Sequence, residues 1–178
     1  PHTVRMHAST LDLLPSIAAC VGRPLPSRPM DGIDLFQAVE SAREERPKPL
    51  FFWQYNEART ARGSREPYID PELQKGTTPL LKKMGGKATR DFVNYRHPTV
   101  EEGDYAGPRA VIDGAFKLIA REMKDGMPGY ELFNLDTDPA EKHNLASQES
   151  NRVNELSMRM KNWQSSVLQS LTGADYQR

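Results

Sequence analysis

The stretch RAVIDGAFKLIA, residues 109–120, decides the fold because it contains two β-prone runs separated by Asp113-Gly114. Asp-Gly between such runs is a strong hairpin signal, since a type I′ turn requires positive φ at both central residues. A second turn at residues 124–129 returns the chain into YELFNL, residues 130–135, and LFFWQY, residues 50–55, has the aromatic density of a buried strand. The sequence therefore predicts one sheet of four antiparallel strands.

A long amphipathic helix is predicted to begin near Gln148 or Asn151 and to run to about Leu171. Its apolar residues recur at alternating spacings of three and four, so they share one stripe: Val153, Leu156, Met160, Trp163, Val167 and Leu171. The four-stranded sheet is the only large apolar face predicted that can bury this stripe. The predicted class is therefore α+β, an antiparallel four-stranded sheet covered by a long C-terminal helix.

Short helices are predicted ahead of the sheet, over residues 9–21 and 34–41, and a proline-rich linker at 23–29 joins them. Residues 56–108 contain few apolar side chains and six glycines, which predicts a long loop. Loops of this length inside a domain are usually functional or mobile.

The charge balance excludes some classes of partner. The 178 residues include 24 Lys plus Arg and 24 Asp plus Glu, so the formal net charge is zero. Binders of nucleic acid or anionic membranes need surplus cations to displace counterions, so neither partner is expected.

No apolar stretch approaches the roughly 20 residues of a membrane-spanning helix. A chain that opens on Pro1, with no signal-peptide core behind it, is expected to be a fragment or a processed product.

Residue chemistry alone names no reaction. The four histidines show no HxH or HExxH spacing, and the G-x-S-x-G and P-loop motifs are missing from the sequence. The single cysteine, Cys20, stands beside Val21 on an apolar helix and is expected to be a buried packing residue. No metal site is predicted in this chain.

Two passages resemble type I sulfatases, with arylsulfatase-like members as the nearest match. The first is STLDLLPSIAACVG at 9–22, with LP at 25–26 and DGIDL at 31–35; the second is RAVIDGAFKLI at 109–119, with ELFNL at 131–135, Asp138-Pro139, Glu141 and NLA at 144–146. In the alkaline-phosphatase-like fold of that family, a large α/β domain precedes a smaller domain with an antiparallel sheet and a long helix. The resemblance implies that residues 1–45 end the large domain and that residues 46–178 form the C-terminal subdomain.

The resemblance further implies a sulfuric ester hydrolase whose nucleophile is a formylglycine, made within a C/S-x-P-x-R motif beside a calcium ion. CVGRP at 20–24 lacks the proline of that motif, and SRPMD at 27–31 ends in Asp instead of Arg. No catalytic residue is therefore expected in this chain, and formylglycine and calcium are expected in an N-terminal sulfatase domain, its implied partner. Because hydrolysis needs both nucleophile and cation, the chain alone is expected to be inactive, contributing to stability and to the rim of the substrate pocket.

The loop at 56–108 carries the candidate substrate-binding residues. Its cationic and aromatic side chains suit an anionic sulfated small molecule or glycan. The candidates are Arg59, Arg62, Arg65, Tyr95, Arg96 and His97. The competing interpretation is a solvated variable loop.

Two other functions are left open by the sequence: the tail of a related phosphodiesterase or phosphonate hydrolase, and a free-standing carbohydrate-binding or interaction module. An unpartnered apolar face on the helix at 9–21 would favour self-association, which allows a homodimer of the fragment. The family resemblance alone suggests a periplasmic or secreted location.

Overall fold

The sheet has the predicted four strands. In the computed structural model, which describes residues 5–55, 75–76, 99–123, 128–172 and 174, the strands are β1 (Leu50–Trp53), β2 (Arg109–Asp113), β3 (Phe116–Glu122) and β4 (Pro128–Asn134). All neighbours are antiparallel and the order is β1-β2-β3-β4. The α+β prediction is confirmed.

The hairpin between β2 and β3 turns one residue later than the sequence suggested. Asp113 remains in its strand and pairs with Phe116, so the two loop residues are Gly114 and Ala115. Of these two, only Gly114 has a positive φ, 56°. The expectation of positive φ at both Asp113 and Gly114 was wrong, because a loop with glycine at its first central position needs only that one residue in the left-handed region.

The core lies between the sheet and the long helix α3 (Ser150–Thr172). Register places side chains from neighbouring strands side by side on the covered face, where Val111 is opposite both Phe51 and Leu118, and Leu118 is opposite Leu132. Ala120 of β3 is buried in the same core, and the helix contributes three further buried members: Val153, Leu156 and Met160.

The buried stripe of α3 departs from the prediction in its second half. Gln164 and Leu168 are buried there, whereas Trp163, Val167 and Leu171 are only half-buried. Gln164 is tolerated in the stripe because its Nε2 donates a hydrogen bond to the carbonyl oxygen of Tyr105, 3.1 Å away. None of the helices in the described ranges has the length and apolarity of a membrane-spanning helix.

The N-terminal part consists of a 3₁₀ turn (Thr10–Asp12), helix α1 (Leu13–Cys20) and helix α2 (Leu35–Glu40). Ser9 caps the turn, with its side chain accepting from the amide of Leu11. Together, the turn and α1 occupy the helix predicted at 9–21.

Cys20 is exposed, so its expected burial was wrong. The reason is the orientation of α1: its buried side carries Pro15, Ser16 and Ala18, and Cys20 lies on the opposite side with Ile17. Hydrophobicity alone did not indicate which side of this short helix faces the protein.

Candidate functional site

None of the predicted substrate-binding residues falls in the part of the chain that the structure describes. They lie within residues 56–74 and 77–98, and comprise Arg59, Arg62, Arg65, Tyr95, Arg96 and His97. The described remainder of the predicted loop is residues 75–76 and 99–108, and the second of these ranges contains a 3₁₀ turn at Glu102–Tyr105 that returns the chain to β2.

A pocket of about 590 Å³ lies where this returning segment meets the sheet and α3. We call it the end pocket. The 3₁₀ turn, the start of β2, the end of β3 and the start of β4 form its walls together with α3. Its polar and aromatic lining residues include Glu102, Tyr105, Arg109, Glu122, Tyr130 and Lys161.

Glu122 organises one wall of the end pocket. Its Oε1 accepts hydrogen bonds of 2.8 Å from both Arg109 and the amide of Gly107. Burial raises the pKa of the Glu122 carboxyl, but the bonds from the Gly107 amide and from Arg109 outweigh burial and hold the pKa below its usual value. Glu122 is therefore a carboxylate that fixes the backbone of the returning segment.

The opposite wall is formed by Lys161 and Tyr105. The Lys161 ammonium lies 5.5 Å from the centre of the Tyr105 ring and 3.6 Å from a carboxylate oxygen of Glu102. The Tyr105 hydroxyl is 3.0 Å from the hydroxyl of Ser165 on α3. These contacts attach the 3₁₀ turn to the long helix.

The end pocket is equipped for binding through hydrogen bonds and aromatic contact. Its two cations, Arg109 and Lys161, already face the carboxylates of Glu122 and Glu102, so a sulfate group would compete with those partners. Across the described ranges there is no group of three or more His, Cys, Asp and Glu side chains placed to hold a metal ion.

The Arg109–Glu122 pair was missed at the sequence level, because a loop of Asp113 and Gly114 would pair Arg109 with Leu118. The observed hairpin register sets Arg109 opposite Ala120, which places Glu122 two residues further along the same strand and on the same face. Tyr105 and Lys161 were missed as well, because their approach depends on how the returning segment packs against α3.

Comparison with known proteins gives a fold likeness without a sequence match. No protein-family model and no curated protein matches the chain. Among solved structures, Ps i-CgsB covers 89% of this chain at 14% identity and a TM-score of 0.52. The same protein in complex with k-i-k-neocarrahexaose covers 87% at 13% identity and a TM-score of 0.50.

Two further structures are similar with lower scores. BT4656, solved with its substrate D-glucosamine-2-N,6-O-disulfate, covers 87% of the chain at 16% identity and a TM-score of 0.47. The sulfatase-assigned yidJ of Bacteroides fragilis covers 87% at 14% identity and a TM-score of 0.49. This chain spans about a quarter of each neighbour's length, between 23% and 24%.

The yidJ protein carries the name of a sulfatase, and the fold of this chain is similar to the fold of about a quarter of Ps i-CgsB. The likeness supports the resemblance to the C-terminal part of a sulfatase that the ordered motifs indicated.

Proposed function

We propose that this chain is the C-terminal part of a sulfatase that hydrolyses sulfate esters. One observation supports it most directly: 89% of the chain superposes on about a quarter of Ps i-CgsB. That likeness concerns the fold alone. The sulfatase-like motifs stand in the same order along the sequence, from residues 9–35 to residues 109–146. Fold and motif order are separate observations, and both favour the same assignment.

Within this proposal, residues 1–45 end the large sulfatase domain and residues 46–178 form the smaller one. Several contacts tie the parts together, and two of them involve buried or half-buried side chains of both parts. The carboxylate of Asp12 is paired with Arg46 at 2.7 Å, and the indole nitrogen of Trp163 donates to Asp31 Oδ2 at 2.9 Å. The second contact joins residues 132 positions apart, so α3 helps to hold the N-terminal part in place. Structural support is the role proposed for this chain in the whole enzyme.

The catalytic groups of the proposed enzyme belong to the preceding domain. A formylglycine supplies the nucleophile in such an enzyme, and calcium neutralises sulfate oxygens. Neither the C/S-x-P-x-R motif nor a metal-ligand cluster occurs in the part of this chain that the structure describes. The chain on its own is therefore proposed to be inactive.

A sulfated small molecule or glycan is the proposed substrate of the whole enzyme. Support comes from Ps i-CgsB, which was solved with k-i-k-neocarrahexaose, and from the cationic residues of the loop. Because the two cations of the end pocket already face carboxylates, recognition of a sulfate at the rim is assigned to Arg59, Arg62 and Arg65, with Tyr95, Arg96 and His97.

The test uses the full-length gene product made together with formylglycine-generating enzyme. Sulfate release is measured from a chromogenic aryl sulfate and from sulfated oligosaccharides, beside the 178-residue chain alone. Release by the full-length protein only is the expected result. Hydrolysis of phosphate diesters without sulfate release, or glycan binding without turnover, would contradict the proposal for the whole protein, and release by the short chain would contradict its inactivity.

The rim assignment has its own test in the full-length enzyme. Alanine at Arg59, Arg62 or Arg65 is expected to lower kcat/KM for anionic substrates. Arg121→Ala is the matched control, because Arg121 is an exposed sheet residue that lies 3.8 Å from a carboxylate oxygen of Glu131. Values of kcat/KM that stay at the control level would remove the rim assignment and leave the sulfatase proposal standing.

A further inference from the structure

Arg109 brings hydrogen-bond donors to the end pocket that the protein itself does not use. Its Nη1 donates to the carbonyl oxygen of Gly107 at 2.9 Å and to Glu122 Oε1 at 2.8 Å, and no bond among the described residues uses Nη2 or Nε. In the same ranges, Arg46 Nε is the only buried side-chain nitrogen or oxygen without a hydrogen-bond partner. The N–H groups on Nη2 and Nε of Arg109 are therefore accessible, although the side chain is only 13% exposed.

The charged side chains of the end pocket balance one another. Arg109 pairs with Glu122 at 2.8 Å, and the Lys161 ammonium lies 3.6 Å from a carboxylate oxygen of Glu102. An ionic ligand would have to displace a charge-assisted partner, whereas an uncharged ligand would not. A hydroxyl group accepts from a guanidinium and donates to a carboxylate at the same time, because one oxygen carries both functions. The polar side of the end pocket therefore suits hydroxyl groups.

Apolar surface lies beside these polar groups. Met123 and Met158 line the end pocket and are 59% and 63% exposed, and Tyr130 adds an aromatic ring that also packs against the core. A sugar ring combines a rim of hydroxyl groups with C–H faces, so it needs polar and apolar surface side by side. The volume of about 590 Å³ lies within the range of small-molecule pockets, about 300–1,000 Å³.

The strands hold the polar groups of the end pocket in fixed positions. Arg109 on β2 is opposite Ala120 on β3, and Ala120 is opposite Tyr130 on β4. Glu122 follows Ala120 by two residues, so its side chain lies on the same face of the sheet. Groups on strands are held more precisely than groups on loops, which reduces the entropy lost when a ligand binds.

We propose that the end pocket binds an uncharged sugar unit, whose hydroxyl groups accept hydrogen bonds from Arg109 and donate to the carboxylate of Glu122. Its C–H face packs against the methionine and tyrosine side chains. A peptide is a poorer match, because its donors and acceptors lie on separate atoms. The inference goes beyond the proposed function and does not depend on it, since only the chemistry of the end pocket is used.

Binding is tested with the full-length gene product by saturation-transfer difference NMR. The probes are D-galactose, D-glucose, D-mannose and N-acetyl-D-glucosamine, each titrated into the millimolar range, followed by an uncharged oligosaccharide of each sugar that binds. Saturable binding of at least one sugar is expected, and its absence for all four would overturn the proposal. Tighter binding of the oligosaccharide would identify the ligand as a unit of a longer glycan, and equal binding would identify a single sugar; both support the site.

Two substitutions tie the binding to the end pocket. Arg109→Lys keeps a cation beside Glu122 but removes the unused guanidinium donors, and it is expected to raise Kd at least about tenfold because charged donors are lost. Met158→Trp narrows the end pocket from α3 and should act in the same direction. The matched control is Asn162→Trp, at an exposed position of α3 that does not line the end pocket; its Kd should be unchanged.

Urea midpoints establish that each variant folds, and Met158→Trp carries the test if Arg109→Lys does not fold. A Kd that stays the same in both variants would place the sugar elsewhere and overturn the proposal. If Met158→Trp weakens the binding of a sulfated form of the sugar as strongly as that of the sugar itself, the preference for an uncharged unit is refuted.

The remaining outcomes separate this inference from the proposed function. Sulfate release by a full-length protein whose sugar binding does not depend on Arg109 would refute the sugar site alone. Sugar binding that depends on Arg109, without sulfate release, would refute the sulfatase proposal and support the sugar site.

Discussion

Replacing Asp12 with alanine should destabilise the 178-residue chain strongly. The Asp12 carboxylate is fully buried and accepts four hydrogen bonds, from Arg46 Nη1 at 2.8 Å, Arg46 Nη2 at 2.7 Å, the amide of Ile33 at 2.9 Å and the amide of Ser9 at 2.8 Å. The guanidinium left behind has a side chain only 4% exposed, and its Nε has no hydrogen-bond partner among the described residues. Removing one partner of a buried ion pair costs about 3–5 kcal/mol, so the expected loss lies in that range.

Urea denaturation is the assay for Asp12→Ala, with the fluorescence of Trp53 and Trp163 as the signal. Trp163 is a suitable reporter because it donates to Asp31, whose carbonyl oxygen lies 3.4 Å from Arg46 Nη2. The matched control is Glu155→Ala, which removes an exposed carboxylate paired with Arg159 and should cost only about 0.3–0.5 kcal/mol. A loss for Asp12→Ala no larger than this control would refute the reasoning.

The same ion pair predicts a loss of stability in acid. Burial raises the pKa of Asp12, but the bonds from Arg46, Ile33 and Ser9 outweigh burial and hold the pKa below 3.8. A carboxyl with a lowered pKa stabilises the folded state above its unfolded pKa, and this contribution disappears as pH falls through the folded pKa. The unsubstituted chain should therefore lose stability below about pH 4, and Asp12→Ala should show a shallower loss over that range. If the free energy of unfolding falls equally steeply with decreasing pH in both proteins, this expectation is contradicted.

Four further substitutions test the fold by urea denaturation followed by circular dichroism. Gly107 has φ +112°, and a Cβ built on it would lie 2.2 Å from a backbone carbonyl oxygen, whereas Gly114 has φ +56° with open space around it. Gly114→Ala should therefore lower the free energy of unfolding by about 1–2 kcal/mol, and Gly107→Ala should lower it clearly more. Equal losses for the two variants would contradict the clash at Gly107. Glu122→Ala should cost about 1–3 kcal/mol because it leaves an amide and a guanidinium without their acceptor. Trp163→Phe keeps an aromatic ring at the stacking position but loses the bond to Asp31, for an expected cost of about 1.5–3 kcal/mol; an unchanged midpoint would show that this bond contributes nothing.

The acidic stretch at residues 136–141 has a structural role. The Asp138 carboxylate accepts from the backbone amide of His143 at 2.7 Å, and such amide bonds hold the pKa of Asp138 below its usual value. The stretch is a turn that leads from β4 towards α3. The Lys117 ammonium pairs with Glu141 at 2.6 Å and fixes that turn against the sheet.

The fold class followed from two local patterns in the sequence, whereas the described part of the candidate site did not. The Arg109–Glu122 pair depends on the observed hairpin register, which differs from the register that an Asp113-Gly114 loop would give. Tyr105 and Lys161 come together across 56 positions of sequence, so no local pattern placed them in one pocket. The six candidate residues of the loop stay predictions, because they lie outside the described residues.

The sequence by itself determined the elements whose information is local. Alternation of side chains and Gly114 specify the β2–β3 hairpin, and apolar spacing specifies α3, because both periods are properties of the backbone geometry. Only the tertiary structure decided which surfaces meet. Arg46 lies 34 positions from Asp12, Gln164 and Leu168 are buried in place of Trp163 and Val167, and Cys20 faces outward. Each of these outcomes depends on the partner surface that buries a given side, and a period in the sequence does not specify that partner.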